Sequence, residues 1–359
     1  TDELVRLAHE VTETPDRREM DMLLTAGERI SMALLALAIR SSGVAATSLT
    51  GSQCGIITND VQGQARIVEV RPYRVEDALG SGHVVIVAGY QGVSYRREVT
   101  TLGRGGSDTT AVALAAALGA RACEIYTDVD GVYSADPQTQ LSARRLATVT
   151  HDEMMELARA GAKVLAEEAI AFAQAEGIAL FVRASDGRPG ETLVRKHAPE
   201  GSARISGVAI RRSAHLWRYE SSVELETALS EVLQRLAVCP MVRLTPLAGG
   251  MGVLLIARAV ADDVGKAFER QCAAVQTQLG EAIDRQVGGD LVSVVGSAVG
   301  SSPDVEARFR EALSEAGAKG AGDHGVEVLA HGMTLSALVD SACADELAGL
   351  LHRRFVERS

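Results

Sequence analysis

Thr100-Thr101-Leu102-Gly103-Arg104-Gly105-Gly106-Ser107-Asp108-Thr109-Thr110 leads into an alanine-rich apolar run to Ala120. It is followed by Cys123-Glu124-Ile125-Tyr126-Thr127-Asp128-Val129-Asp130-Gly131-Val132-Tyr133-Ser134-Ala135-Asp136-Pro137. The three glycines around Arg104 allow a tight loop with bare backbone amides. Ser107, Asp108 and Thr109 are good caps for a helix over residues 111–118. A glycine loop that opens a helix offers backbone N–H groups and the positive end of the dipole to an anion, and Arg104 adds a planar fork suited to a carboxylate. Ile125-Tyr126 reads as a short strand ending on Thr127-Asp128, and open α/β sheets bind ligands at the carboxyl ends of their strands. On loop grammar alone, a ligand loop and a plain turn both stay open.

The segments Leu102 to Asp108 and Tyr126 to Tyr133 resemble those of the aspartate kinases, amino-acid kinases that phosphorylate the side-chain carboxylate of aspartate. The resemblance runs almost continuously over residues 1–203. It implies an α/β amino-acid kinase fold with a mainly parallel central sheet between helices, followed by two α+β ACT-like (βαββαβ) domains. It also implies ATP and Mg2+ as cofactors and L-aspartate or a similar amino acid as substrate. Arg104, with Gly105 and Gly106, would then hold a substrate carboxylate, while Glu28 and Asp108 would face its ammonium. Thr127, Asp128, Tyr133 and Asp136 would line the nucleotide, and Lys163 would reach its phosphates. Read without the resemblance, Tyr133 suits a core edge equally well and Asp136-Pro137 is an ordinary turn pair.

A chain of 359 residues with 47 % hydrophobic residues supports two or three domains with full cores, and the 3 % aromatic content means those cores are built of Ala, Val, Leu and Ile. The formal charge of −11 argues against a nucleic-acid surface. Cys54, Cys123, Cys239, Cys272 and Cys343 are dispersed and odd in number, so neither a disulfide framework nor a zinc site is expected. No uncharged stretch reads as apolar enough over membrane length, and Thr1-Asp2-Glu3 does not open a signal peptide, so the expectation is a cytoplasmic enzyme without membrane partners.

Leu4, Leu7, Ala8 and Val11 give a short amphipathic run, Thr14-Pro15 breaks it, and residues 20–39 carry a longer one. Glu28 lies inside it in Gly27-Glu28-Arg29-Ile30-Ser31. The residue alone reads as a solvated face, and only the resemblance makes it a substrate contact. Short strands follow at Val44-Ala45-Ala46, Gly55 to Thr58 and Arg66 to Val70. The branched run Val84 to Val87 predicts a central parallel strand buried on both faces. Thr50-Gly51-Ser52-Gln53 is a glycine turn that the resemblance places near the substrate, with Thr50 and Ser52 as its polar groups. Helices are expected over 151–160 and 166–176 and a strand over 179–183. Lys163 stands between the helices in Gly161-Ala162-Lys163-Val164-Leu165, where Glu167 and Glu168 follow in place of the family's usual His-Pro or arginine.

The chemistry follows from charge. An aspartate side chain, with a pKa of about 3.9, is already ionised at neutral pH and needs no general base. The obstacle is an anion approaching an anionic γ-phosphate, so catalysis rests on positioning and on cations. Lys163, Arg104 and Asp108 are the expected catalytic set. Aspartate kinases open with a strand and a Lys-x-Gly-Gly-Thr-Ser loop that this chain does not contain; the expectation is that residues precede Thr1, since losing central strands would leave buried edges unpaired.

Residues 1–203 are thus expected to be the kinase domain, with 204–285 a first, degenerate ACT-like domain and 286–359 a second. In the first, Trp217 to Val223 lacks the Asp-x-Pro-Gly turn that binds a feedback amino acid in the family, with a helix expected over 223–236 and a strand over 252–257. Dimerisation through these domains is expected. Three readings stay open: aspartate 4-kinase, an enzyme of the same fold acting on another acid, and a non-catalytic nucleotide-binding partner subunit.

Overall fold

The computed structural model describes residues 2–103, 105–197, 205–220, 222, 227, 241–247, 251–257, 273, 277, 284–297, 299–320 and 325–357. The chain forms two compact units, one of Thr1–Ile125 with Leu165–Phe181 and the other of Tyr126–Val164 with Val182–Ser359.

Unit 1 opens with helices α1 (Asp2–Val11) and α2 (Arg17–Ser41). The Asp16 side chain accepts the backbone N–H groups of Arg18 and Glu19, satisfying two orphan donors at the start of α2. This helix is long and apolar enough to cross a membrane by length and composition, although it is not an uncharged stretch of the kind the expectation concerned. The reason is that only Glu28 and Arg29 interrupt its run from Met22 to Ile39. The core helix of a soluble protein and a signal sequence pass the same test, and 11% of the apolar window is buried here. Here α2 packs on β1 (Ala46–Leu49) and β6 (Val99–Thr101), burying Asp21, Thr25 and Ala36.

Strands β2 (Ile56–Thr58), β3 (Ile67–Val70) and β5 (Gln91–Ser94) join β6 in the order β3-β2-β5-β6. Helix α3 (Tyr73–Gly80) precedes β4 (Val84–Val87), which among the described residues pairs in parallel with β1 in a two-stranded sheet. Val84 is exposed and its three successors are half-buried, so the expectation of a strand covered on both faces does not hold. An all-branched run carries no alternation and cannot distinguish a central strand from an edge one. Helices α4 (Gly106–Ala117) and α6 (Glu167–Glu176) complete the unit and pack on each other.

Asp21 ties the unit together. Fully buried, it accepts Gly63 N–H at 3.0 Å and the Thr101 hydroxyl at 2.6 Å, so α2, the turn before β3 and the end of β6 share one carboxylate. Burial pushes its pKa up, and the hydrogen bonds from Thr101 and Gly63 offset part of that rise. Asp21→Ala leaves both donors unpaired and is expected to cost about 2–4 kcal/mol, read as a shift of the urea midpoint.

Strands β7 (Ala122–Thr127) and β9 (Ala179–Ala184) run out of unit 1 by their carboxyl ends, in a sheet ordered β7-β9-β10-β8 with β10 (Glu191–Arg195) and β8 (Thr148–Thr150). Helix α5 (His151–Ala160) follows β8 through a capping box between Thr150 and Glu153. The rest of unit 2 is one antiparallel sheet in the order β12-β13-β11-β14-β16-β15, made of β11 (Ile205–Glu220), β12 (Met241–Leu247), β13 (Met251–Ala257), β14 (Asp284–Gly296), β15 (Glu327–His331) and β16 (Thr334–Val339).

Helices α7 (Pro303–Glu315) and α8 (Ser341–His352) cover this sheet. Phe309, Leu347, Leu351 and Phe355 bury against Val292, Val294 and Leu335. From β14 onward the element order is β-α-β-β-α, and a π-turn, Arg353–Glu357, ends the described chain. The helix expected over 223–236 lies outside the described residues, apart from the single helical position Thr227.

Candidate active site

In unit 1 the expected substrate residues gather around Gly89-Tyr90-Gln91. Gly105 takes a left-handed conformation (φ 72°) as the residue before α4, and a Cβ there would stand 2.3 Å from Ala166 Cβ. A Cβ on Gly106 would stand 2.7 Å from Leu102 Cβ and 3.1 Å from the Tyr90 ring. Both glycines are therefore required by packing. The Tyr90 N–H donates to Thr110 Oγ1 at 3.1 Å, and the Tyr90 carbonyl accepts Leu102 N–H at 2.9 Å, so this turn holds the first turn of α4.

Asp108 is half-buried beside that glycine pair. Burial raises its pKa, and a hydrogen bond from the Ala166 backbone partly offsets the rise. Ala166 is itself the N-cap of α6, so the starts of α4 and α6 lie together and present backbone donors on one side of the unit. Glu168 at the start of α6 is exposed. Cys123 lies close to Asp108; burial first, and then the Asp108 and Glu124 charges, push its thiol to about 11, so it stays protonated.

Gln91 is the hub that sequence reasoning missed. Its backbone carbonyl presses on Gly51, where a Cβ would be 2.0 Å away, and its side chain lies 3.4 Å from Arg29 Nε and 3.5 Å from the Thr25 carbonyl. It thereby fixes the Thr50 turn against the α2 segment that carries Glu28, which is half-buried. The turn is ordered internally: Thr50 N–H donates to Gln53 Oε1 at 3.0 Å, and the Thr50 and Ser52 hydroxyls are 3.2 Å apart. No local pattern marks Gln91, because its side-chain partners on α2 lie more than sixty positions away. Arg104 lies outside the described residues.

In unit 2 the expected nucleotide residues follow the carboxyl end of β7. The Thr127 hydroxyl donates to Asp128 Oδ1 at 3.0 Å, and Asp128 is exposed. Tyr133 donates its hydroxyl to Asp130 Oδ1 at 2.9 Å, while Arg145 reaches Asp130 Oδ2 at 2.8 Å. Burial acts to raise the Asp130 carboxyl, but these bonds outweigh it and hold the group below the usual range. Burial and the bond to Asp130 raise the Tyr133 phenol. Asp136 is exposed and shapes a turn: its Oδ1 accepts Gln138 N–H at 2.9 Å and its carbonyl accepts Gln140 N–H at 2.8 Å.

A cavity of about 340 Å³ opens beside this loop, lined by Tyr126, Arg183, Gly187, Arg188 and Glu191 among others. Arg188 donates to the Asp128 carbonyl at 2.7 Å and pairs with Asp186 at 2.7 Å; Arg183 pairs with Glu191 at 2.7 Å. Neither arginine stands out in the sequence.

Lys163 also belongs to unit 2. It is exposed on the connection after α5, two residues past Gly161 and three before Ala166. That connection is braced from β11: Arg211 Nε donates to the Arg159 carbonyl at 3.0 Å and Ser206 donates to Glu153 at 2.7 Å.

Residues 1–184 match the family model described as the amino acid kinase family. The aspartokinase of Mycobacterium tuberculosis is 44% identical over 328 residues, covering 88% of this chain and 77% of that protein. The aspartokinase of Mycolicibacterium smegmatis is 40% identical over 380 residues, covering 99% and 85%. Among solved structures, E. coli aspartokinase III in complex with aspartate and ADP superposes with a TM-score of 0.81 at 24% identity, over 98% of this chain and 79% of that one, a likeness of fold. The chain belongs to the amino acid kinase family, and within that class to the aspartokinases.

Proposed function

We propose that the protein transfers the γ-phosphoryl group of ATP to the side-chain carboxylate of L-aspartate, giving 4-phospho-L-aspartate and ADP. The observation that carries this is the 40% identity to an aspartokinase across 99% of the chain. Features within each unit, taken separately, support it. The paired starts of α4 and α6 supply backbone donors, and Asp108 and Glu28 supply carboxylates for an ammonium. The loop from Thr127 to Asp136 and its cavity suit a nucleotide. Lys163 adds a cation for the phosphates.

The reaction needs no general base, since the attacking carboxylate is ionised. One of its oxygens bonds to the γ-phosphorus as the bond to the bridging oxygen of ADP breaks. Mg2+ bound with the nucleotide would supply further positive charge to the phosphates, beside that of Lys163. Residues 1–203 act as the catalytic domain, and 204–285 and 286–359 act as ACT-like modules through which two copies associate in the cytoplasm.

The test is ADP release with ATP and Mg2+ over a panel of L-aspartate, L-glutamate and N-acetylated aspartate. Turnover with L-aspartate at least tenfold above the others supports the reading, and preference for another acid overturns it. Within it, Asp108→Asn loses a charge-assisted partner of the substrate ammonium and is expected to raise the KM for aspartate roughly ten- to hundredfold with the KM for ATP little changed. Because Asp108 binds an ammonium only when ionised, its raised pKa also predicts that aspartate affinity weakens as pH falls toward that pKa.

A further inference from the structure

His352 ends α8 with its ring fully buried. Its Nε2 lies 2.9 Å from Ser134 Oγ, and its Nδ1 faces Glu357 Oε1 at 3.2 Å and Ser142 Oγ at 3.4 Å. The Ser134 hydroxyl already accepts Arg144 N–H at 2.9 Å, so its single hydrogen is free to go to Nε2, which leaves Nδ1–H to donate to Glu357. The neutral ring with that tautomer satisfies every partner. A doubly protonated ring would aim a second donor at Ser134 Oγ and strand the serine's own hydrogen.

Ser134 is the keystone of the loop after β7. Its N–H donates to the Arg144 carbonyl at 2.9 Å and its own carbonyl accepts Val208 N–H at 2.7 Å. The neighbouring Tyr133 bridges to Arg145, whose guanidinium holds Asp130. A second contact repeats the grip: Gln140 donates to Ser142 at 2.7 Å and its Oε1 packs against Gly349 of α8, where a Cβ would stand 3.0 Å away. The end of α8 thus clasps the 134–144 segment at two points, next to the residues assigned to nucleotide.

We propose that His352 is a positioning residue for ATP, acting through Ser134 to hold the Asp130–Tyr133–Arg145 arrangement in its nucleotide-binding form. The inference rests on the kinase reading above. The charged groups facing the ring are Glu357 and Arg353 from the π-turn and Arg144 from the loop. Burial lowers the imidazole pKa below its usual value and outweighs the pull of Glu357. A histidine with a lowered folded pKa contributes stability that is present above its unfolded pKa of about 6.5 and lost as pH falls through the folded value.

The test uses His352→Leu and Ser134→Ala, with His352→Gln as the conservative variant whose carboxamide oxygen can accept from Ser134. Steady-state kinetics and calorimetric titration of ADP without aspartate are measured for each, from pH 5.5 to 8. Loss of one buried hydrogen bond predicts a roughly five- to tenfold rise in the KM for ATP and in the ADP Kd for the first two variants, with the KM for aspartate within about twofold. His352→Gln restores most of that affinity and flattens the fall in ADP affinity expected of the wild type as pH drops through the lowered folded pKa of His352. Variants that bind ADP as the wild type does, or that weaken both substrates alike, overturn the proposal. A wild type that binds no ADP overturns the kinase reading and the proposal with it, so the two failures are separable.

Discussion

Lys163→Met is expected to lower kcat by about a hundredfold or more, the usual cost of removing a group aimed at charge that develops in the transition state. The chemistry brings an anionic carboxylate to an anionic phosphate, and neutralising the equatorial oxygens is what the protein must supply. Lys163 is an exposed ammonium on the connection that follows α5, three residues in sequence before the N-cap residue of α6. Its removal should leave folding unchanged, because an exposed side chain contributes little to stability. Single-turnover quench-flow with radiolabelled ATP, paired with thermal unfolding, separates these effects. A kcat within threefold of wild type at unchanged KM would remove Lys163 from the catalytic set.

Gly161→Ala is expected to be severely damaging for so small a substitution. Gly161 sits at φ 120°, which residues with a Cβ rarely adopt, and the added Cβ would stand 2.3 Å from the Ile210 carbonyl oxygen and 2.8 Å from its carbon. Those are backbone atoms of β11 in register with Val292 of β14, so they cannot retreat as a flexible side chain would. Strain at such a position together with overpacking predicts a loss of about 3 kcal/mol or more, seen as a large drop in the urea midpoint. Because Lys163 follows two residues later, kcat should fall as well even under conditions where the variant is folded. Gly161→Ala with wild-type midpoint and turnover would contradict the packing described for this turn.

Much of the fold was readable because its signals are local. The break at Thr14-Pro15 and the apolar periodicity within α2 and over residues 151–160 set those helices to within a few residues. The glycine loop before α4 and the loop after β7 were readable for the same reason, since left-handed and close-packed positions demand glycine. Contacts over long separations were not. Gln91 is unremarkable in sequence yet joins α2 to the Thr50 turn, and Ser134 meets His352 across 218 positions. Arg183 and Arg188 stand out only once β9 and the turn after it place them along a cavity. The edge position of β4 was hidden by a run of branched residues that suits a central strand equally well.

The most direct test of the central claim is the position of the transferred phosphate. The native protein is incubated with ATP, Mg2+ and L-aspartate in the presence of hydroxylamine, which converts an acyl phosphate to a hydroxamate, and ADP and hydroxamate are measured together. Side-chain aspartohydroxamate formed in step with ADP, both dependent on L-aspartate, is the predicted result. ADP release that ignores aspartate, or ADP binding with no hydroxamate at any aspartate concentration, would contradict the assignment.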